Sequence, residues 1–447
     1  MQPPGPSQTT AVPSLQVPPV TPAATSPDST PPAAIRLTIG DAIAMALRSG
    51  TQSQLAESEE ARAHIAQSQA LQNLLPQTDA RLLRYNQSIN LATFGFAPPG
   101  VPPSVGPFNV TDAQIAAAVQ LFNLAALRAY QAAGAGVKAS RYDREQAEND
   151  IAAAVARLYV IVQRATAQVR SREADVILFT RLTEVASDEL KAGTGTRLDV
   201  SQAHVQLARS RQALLVAQND RQNAIYALLN SIGANLDSTA ILVDAVPQYQ
   251  PPPPAAAALA AARAQRPELK AMAAHEQAAQ LAVRAQESRR LPSLGAEFQG
   301  DFSGNYTSDL KWTRRIGAAL QMPLFRADIN VAVAQAKVAL HDAQVQRAQR
   351  ERDVEQDVRR SVLGLENAEA RVQVATENVT VAEEALTVAQ DRRSAGYGSP
   401  VEVDRAQDAY RQAHEDLIAA QADAAAAHFD LLHATGDIRT IVPGATQ

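Results

Sequence analysis

The chain has 447 residues, 46% of them hydrophobic and only 4% aromatic, with no cysteine and a formal net charge of −5. That excludes disulfides, thiolate metal sites and a lipidated N-terminal cysteine, and the modest charge without a basic stripe leaves no footprint for nucleic acid. No apolar run reaches the roughly 18 residues of a transmembrane helix, while long Ala-, Gln-, Arg- and Glu-rich stretches free of Gly and Pro point to long packed helices.

Residues 1–34 are rich in Pro, Ser, Thr and Ala and read as a disordered tail, because they bury too little apolar surface to fold. Met1 is followed by Gln2-Pro3-Pro4-Gly5, so no secretory signal is legible there. A first repeat is expected over 35–240. Thr38 caps a helix whose apolar positions Ile39, Ile43, Ala46 and Leu47 continue through Leu55 and Ile65 until Pro76 stops it. Strands are expected near 78–91 and 108–121, the second with Ile115, Ala117 and Val119 on one face. A Gly/Pro-rich loop from Phe94 to Pro107 joins them.

A long helix then runs from about Phe122 to residue 192. Its positions Ile151, Val155, Leu158, Val162, Ala165, Val169, Arg172, Val176 and Phe179 alternate in steps of four and three, the seam of a coiled coil. Past a glycine turn, a return helix over 197–233 carries the same spacing at Leu207, Ser210, Leu214, Ala217, Arg221, Ala224 and Leu228.

A Pro-rich linker over 241–254 leads to a second repeat over 255–436. It begins with a helix that contains Pro267 and is stopped by Pro292. Strands are expected near 293–303 and 310–323. Leu294, Ala296, Phe298, Gly300 and Phe302 alternate with polar residues, as do Trp312, Ile316, Ala318, Leu320 and Met322, with Arg314 the intruder on the apolar face. A long helix to 394 repeats the seam from Val354 and Val358 to Leu386, and a return helix over 399–435 precedes a tail over 437–447. Leu121-Phe122 maps onto Leu324-Phe325 and Gly193-Thr194-Gly195 onto Gly396-Tyr397-Gly398 at one offset of about 203 residues. Each arm, about 71 residues from Phe to Gly, makes on the order of 105 Å of helix.

The expected fold is mainly α with a small β part: two long antiparallel helical hairpins, four amphipathic strands and an internal two-fold repeat. Strands of about ten residues with one apolar face suit a membrane barrel. Trp312, Tyr306, Phe302, Phe298, Phe94, Phe96, Phe108 and Tyr85 cluster in these segments, which suits an interfacial girdle. A small soluble β-subdomain packed on helices is the other reading. Four strands are too few to close a barrel, which takes about eight, so a spanning sheet requires several chains.

The sequence resembles the TolC-like outer-membrane efflux proteins over about residues 36–436. The resemblance rests on Leu37-Thr38-Ile39 with Ala42-Ile43 and Ala46-Leu47, on Leu75-Pro76 and Leu291-Pro292 before strands, and on Met322-Pro323-Leu324-Phe325 after them. It rests further on the turns from Ala192 to Val200 and from Ala395 to Val403. It implies a homotrimer whose protomers each give four strands to a transmembrane β-barrel in outer-membrane lipid and helices to a periplasmic α-barrel. It also implies a passive exit duct for a tripartite efflux pump or type I secretion, with a periplasmic adaptor and an inner-membrane transporter as partners and no cofactor.

By that resemblance the turns holding Gly193, Gly195, Gly396 and Gly398 form the periplasmic tip, where the duct closes and the adaptor docks. Tyr397 matches a tip tyrosine and Asp199 the aspartate of the neighbouring hairpin that it bonds when shut. Glu402 matches an aperture acid, with Asp404 nearby. The chain departs from the family where Arg405 replaces a second acid, and its second turn is about two residues shorter, which puts an acidic cation-selecting ring in question. Read from the residues alone, Tyr397, Glu402 and Asp404 are plain helix-start chemistry, since acids favour a helix N-terminus.

Catalytic constellations are lacking. The seven histidines are scattered, and His428 and His433 fall on different helical faces, which makes no zinc pair. No phosphate-binding glycine loop or nucleophile elbow occurs, so no enzymatic activity is expected. The competing reading is a soluble periplasmic coiled-coil adaptor or scaffold.

Overall fold

The computed structural model describes residues 34–95, 100, 102–244, 252–305 and 310–441. The N-terminal tail to residue 33, Phe96, Tyr306, the linker prolines Pro247 and Pro251, and the end of the C-terminal tail lie outside the described residues.

Strand β1 (Ala34–Leu37) leads into α1 (Ile39–Ser49). Thr38 caps α1 in a reciprocal box with Asp41, which satisfies donors that the helix itself cannot. The single helix expected up to Pro76 is broken: α2 (Thr51–Gln72) restarts after Gly50, whose backbone is extended. A side chain there would meet the Ala46 carbonyl oxygen at 2.3 Å, so only glycine lets the chain turn so tightly. The helix of the second repeat breaks likewise into α5 (Ala255–Gln265) and α6 (Pro267–Ser288). Pro267 is the first residue of α6 rather than an interior residue, because it lacks the N–H an interior position needs.

The arms are α3 (Leu124–Lys191) and α7 (Ala327–Ser394), both 68 residues long, or about 100 Å each. Phe122 is not in the arm; it ends a strand, and Asn123 caps α3 through its side chain. The return helices are α4 (Arg197–Ser231) and α8 (Pro400–Thr435). Every seam position named for α3, α4 and α7 is buried or half-buried, including Val155, Val162, Ala165, Val169, Val354, Val358 and Leu365. The arms are thus held by side-chain interlocking along one stripe, not by intrinsic helix propensity alone.

The helices form a single layer. Near the strands its order is α2, α3, α6, α7; towards the glycine turns it is α4, α3, α8, α7. Ion pairs tie these neighbours together: Glu60 to Arg144, Asp143 to His275, Glu276 to Arg347, and lower down Arg172 to Glu415 and Asp423 to Arg371. A waist thickens the layer midway. There β1 pairs in parallel with β4 (Thr239–Leu242), and both pack with α1 over Val155, Tyr159, Leu228 and Ile232. These two strands were not expected, since four residues carry no usable periodicity. Tyr159 donates to the Leu37 carbonyl at 3.0 Å and meets the Asp244 carboxylate at 3.3 Å. Burial is the main reason its phenol is pushed up to about 12.

Strands β2 (Gln77–Asn90), β3 (Ser104–Phe122), β5 (Ser293–Gly304) and β6 (Lys311–Gln321) form one antiparallel sheet in the order β2-β3-β5-β6. Strand β3 starts before Pro107, inside the expected loop, and the ladder is irregular between Gln87 and Ile89 beside it. A bulge tolerates a proline that a regular central strand does not.

The register sorts the side chains. Ala80, Ile115, Gly300 and Arg314 lie in one row, and Leu82, Ala113, Phe302 and Trp312 in the next. Ala117, Phe298 and Ile316 share that face, and Ile316 is 71% exposed. The opposite face carries Asp79, Arg81, Gln114, Glu297, Gln299, Asp301 and Arg315. One side of the sheet is an apolar wall and the other a polar one, and among the described residues no helix packs extensively on either.

Candidate functional site

The two glycine turns lie at the far ends of the arms and are built alike. In the first, the Gly193 N–H bonds the Leu190 carbonyl, and those of Thr194 and Gly195 bond that of Glu189 at 2.9 and 3.0 Å. In the second, the Gly396 N–H bonds the Arg393 carbonyl, and those of Tyr397 and Gly398 both bond that of Arg392 at 2.9 Å. The last carbonyls of both arms are satisfied this way, as in a Schellman motif.

The two glycines of each turn have different reasons to be there. Gly193 and Gly396 have φ of 77° and 81°, the left-handed region that costs a side chain. Gly195 and Gly398 approach the preceding helix end. A Cβ on Gly398 would sit 2.7 Å from the Arg393 nitrogen, and one on Gly195 would sit 3.0 Å from the Glu189 Cβ.

Asp199 closes a capping box with Thr196. Its carboxylate accepts from the Thr196 amide at 2.9 Å and hydroxyl at 2.7 Å, and those bonds hold its pKa below the ordinary carboxylate value. The second turn lacks this box: Ser399 caps α8 through the Val401 amide. Tyr397 is 83% exposed, and among the described residues no hydrogen bond links it to Asp199. Glu402 and Arg405 are also exposed.

A cleft of about 940 Å³ lies between the hairpins just above the turns. Phe179, Leu182, Leu198 and Val205 form apolar walls, and Asp199, Asp404, Glu189 and Arg393 line it too. The surroundings of Asp404 push its pKa up through burial, and Arg393 pulls it back in part. The structure thus brings Asp199 and Asp404 to one cleft and leaves Tyr397, Glu402 and Arg405 on the surface.

Sequence reasoning missed Glu189 and Arg393. They face each other at 4.0 Å across the two hairpins. The signal was legible as an acid ending the first arm and two arginines, Arg392 and Arg393, ending the second. It also missed Gln407, buried beside the cleft.

The sequence profile of the outer membrane efflux protein family matches residues 44–234 and 258–437, one stretch in each repeat. A search of curated protein sequences found no match. Among solved structures, the chain is similar to the CmeC outer membrane channel of Campylobacter jejuni, with TM-score 0.77 and 16% identity over 92% of this chain and 90% of that one. It is similar to the outer membrane protein VceC of Vibrio cholerae, with TM-score 0.76 and 18% identity over 89% and 96%. It is also similar to the open state of the MtrE outer membrane channel of Neisseria gonorrhoeae, with TM-score 0.69 and 17% identity over 89% and 88%. A paired hairpin scaffold with an apolar-faced sheet at one end agrees with the transport role that the family's description names. Matched in both of its repeats, the chain belongs to the outer membrane efflux protein family.

Proposed function

We propose that three copies of this chain form a passive exit duct through the outer membrane, opened at the glycine turns. The duct serves a tripartite efflux pump or a type I secretion system. Its turns and the cleft above them dock a periplasmic adaptor, which joins it to an inner-membrane transporter, while outer-membrane lipid surrounds the strands.

The open edges of the sheet carry this reading. Among the described residues, strands β2 and β6 each have one unpaired side. Unpaired backbone facing hydrocarbon is costly, and four strands are too few to close alone. Pairing β6 of one copy with β2 of the next closes a ring of twelve from three copies.

The helical layer supports the same closure. The free edge of α7 carries Val331, Val338 and Val345 and, lower down, Val374, Val381 and Val388, each group at seven-residue spacing and each residue more than half exposed. The opposite free edge carries Leu55 and Ile65 on α2, each more than half exposed as well. Apolar edges on both ends of one layer suit head-to-tail packing of copies. A soluble coiled-coil adaptor needs no apolar-faced sheet.

Light scattering of the detergent-purified protein tests the assembly: the protein mass is expected to be about three times 47.6 kDa. Planar-bilayer recordings test the duct through discrete conductance steps. A protein that stays monomeric in detergent and silent in bilayers defeats the proposal.

A further inference from the structure

The apolar face of the sheet carries two charges. Arg314 lies on it in β6 and Arg84 in β2, and both are exposed. A charge facing hydrocarbon is destabilising at mid-depth and tolerated near the interface, so each needs a polar partner within reach. The apolar stripe of β5 and β6 runs from the Leu294–Leu320 pair to the Phe302–Trp312 pair, about 27 Å along the strands. At the tilt of barrel strands, roughly 40°, this spans about 20 Å of height, most of a barrel's hydrocarbon band of roughly 25 Å.

Trp312 marks one end of this band. Its ring stands 4.6 Å from that of Phe302 and lies over Gly300, where a Cβ would come within 1.9 Å of it. Arg314 pairs with that same Gly300, one row inside the boundary. An arginine side chain can run along apolar surface and lift its guanidinium over such a distance. Arg84 sits level with Gly304, the last residue of β5, where the apolar stripe has ended. Arg314 lies towards the end of β6 away from the arms, and Arg84, midway along β2, is level with the same end of β5, the end that faces the outer leaflet in the proposed duct.

We infer that Arg314 and Arg84 form a binding site for the phosphate of an outer-leaflet glycolipid, with Trp312 packed at the headgroup boundary. The inference rests on the proposed trimeric barrel. There β6 of one copy meets β2 of the next, so each seam between copies is flanked by one Arg314 and one Arg84. Guanidinium binds phosphate through paired, charge-assisted hydrogen bonds, and desolvation at the membrane boundary strengthens them. Lipid with a neutral or dephosphorylated headgroup offers no such partner.

The test is native mass spectrometry of the full chain purified in detergent and incubated with bisphosphorylated lipid A, dephosphorylated lipid A or phosphatidylglycerol. The wild-type protein is expected to retain bisphosphorylated lipid A, and the Arg314→Gln, Arg84→Gln double variant to bind it about tenfold more weakly. Arg314→Lys is expected to fall between them, since lysine keeps the charge and loses the fork. Equal retention of phosphorylated and dephosphorylated lipid A, equal retention by the wild-type and double-variant proteins, or preference for phosphatidylglycerol overturns the inference while leaving the trimer standing. A wild-type protein that is not trimeric in the same spectra overturns the barrel and this site together.

Discussion

Glu189 at the end of α3 and Arg393 at the end of α7 meet at 4.0 Å, joining the two hairpins just above their turns. Both are about two-fifths exposed, so the pair contributes little, on the order of 0.5 kcal/mol. In the proposed duct that small term holds one hairpin against the other. Arg393→Gln is expected to raise the open probability in planar bilayers about twofold. Raising the salt concentration to about 1 M should bring the unmodified protein close to the variant, because screening removes the same attraction. Salt-insensitive gating identical in both proteins would rule out the pair as a latch. Adding Tyr397→Phe tests separately whether the exposed phenol bonds a neighbouring chain.

The glycines of the turns predict unequal penalties. Gly193 has open space where a side chain would project, so Gly193→Ala pays only for its left-handed backbone, about 1 kcal/mol. At Gly398 a side chain collides with the backbone of Arg392 and Arg393, which must shift. Thermal unfolding should show the larger loss for Gly398→Ala, and adaptor binding should weaken with it. The reverse order would contradict this account of the turn.

Arg266 and Glu268, at the break between α5 and α6, form an ion pair at 3.1 Å with both side chains under 10% exposed. Burial pushes the Glu268 pKa up, and Arg266 opposes that. Arg266→Ala leaves a buried carboxylate unpaired and should cost about 3 kcal/mol in denaturant titrations. The folded pKa of this acid is raised, so its charge costs stability at high pH and the cost fades as pH falls through that value. The variant should therefore regain stability on acidification. Replacing the pair by Met and Leu should restore most of it without a pH dependence.

His275 of α6 bonds Asp143 of α3 at 2.9 Å, and that bond raises its pKa above the ordinary 6.5. The stabilisation is complete below 6.5 and is lost as pH rises through the raised folded value. His275→Gln should lower the unfolding temperature at about pH 6 and leave it nearly unchanged at about pH 9. A pH-independent difference between the two proteins would remove the ionic role.

The arms were legible in the amino-acid order because a 4-3 spacing of apolar side chains in a long helix leaves one stripe to bury. Val155, Val162 and Val169, and their counterparts from Val354, meet that requirement from local order alone. The turns were legible for the same reason, since a left-handed residue or a backbone collision demands glycine wherever the rest of the chain lies. In β5 and β6 the alternation sorted the faces residue by residue.

The tertiary structure decided what depends on distant partners. Strands β1 and β4 exist only because they pair across some two hundred residues of chain. The weak alternation in β2 became a face only when its register with β3 put Ala80 beside Ile115 and Leu82 beside Ala113. Asp199 turned inward to its own Thr196, while Glu189 found Arg393 on the other hairpin. Local periodicity says which face of an element is buried; which other element buries it is a property of the whole packed chain.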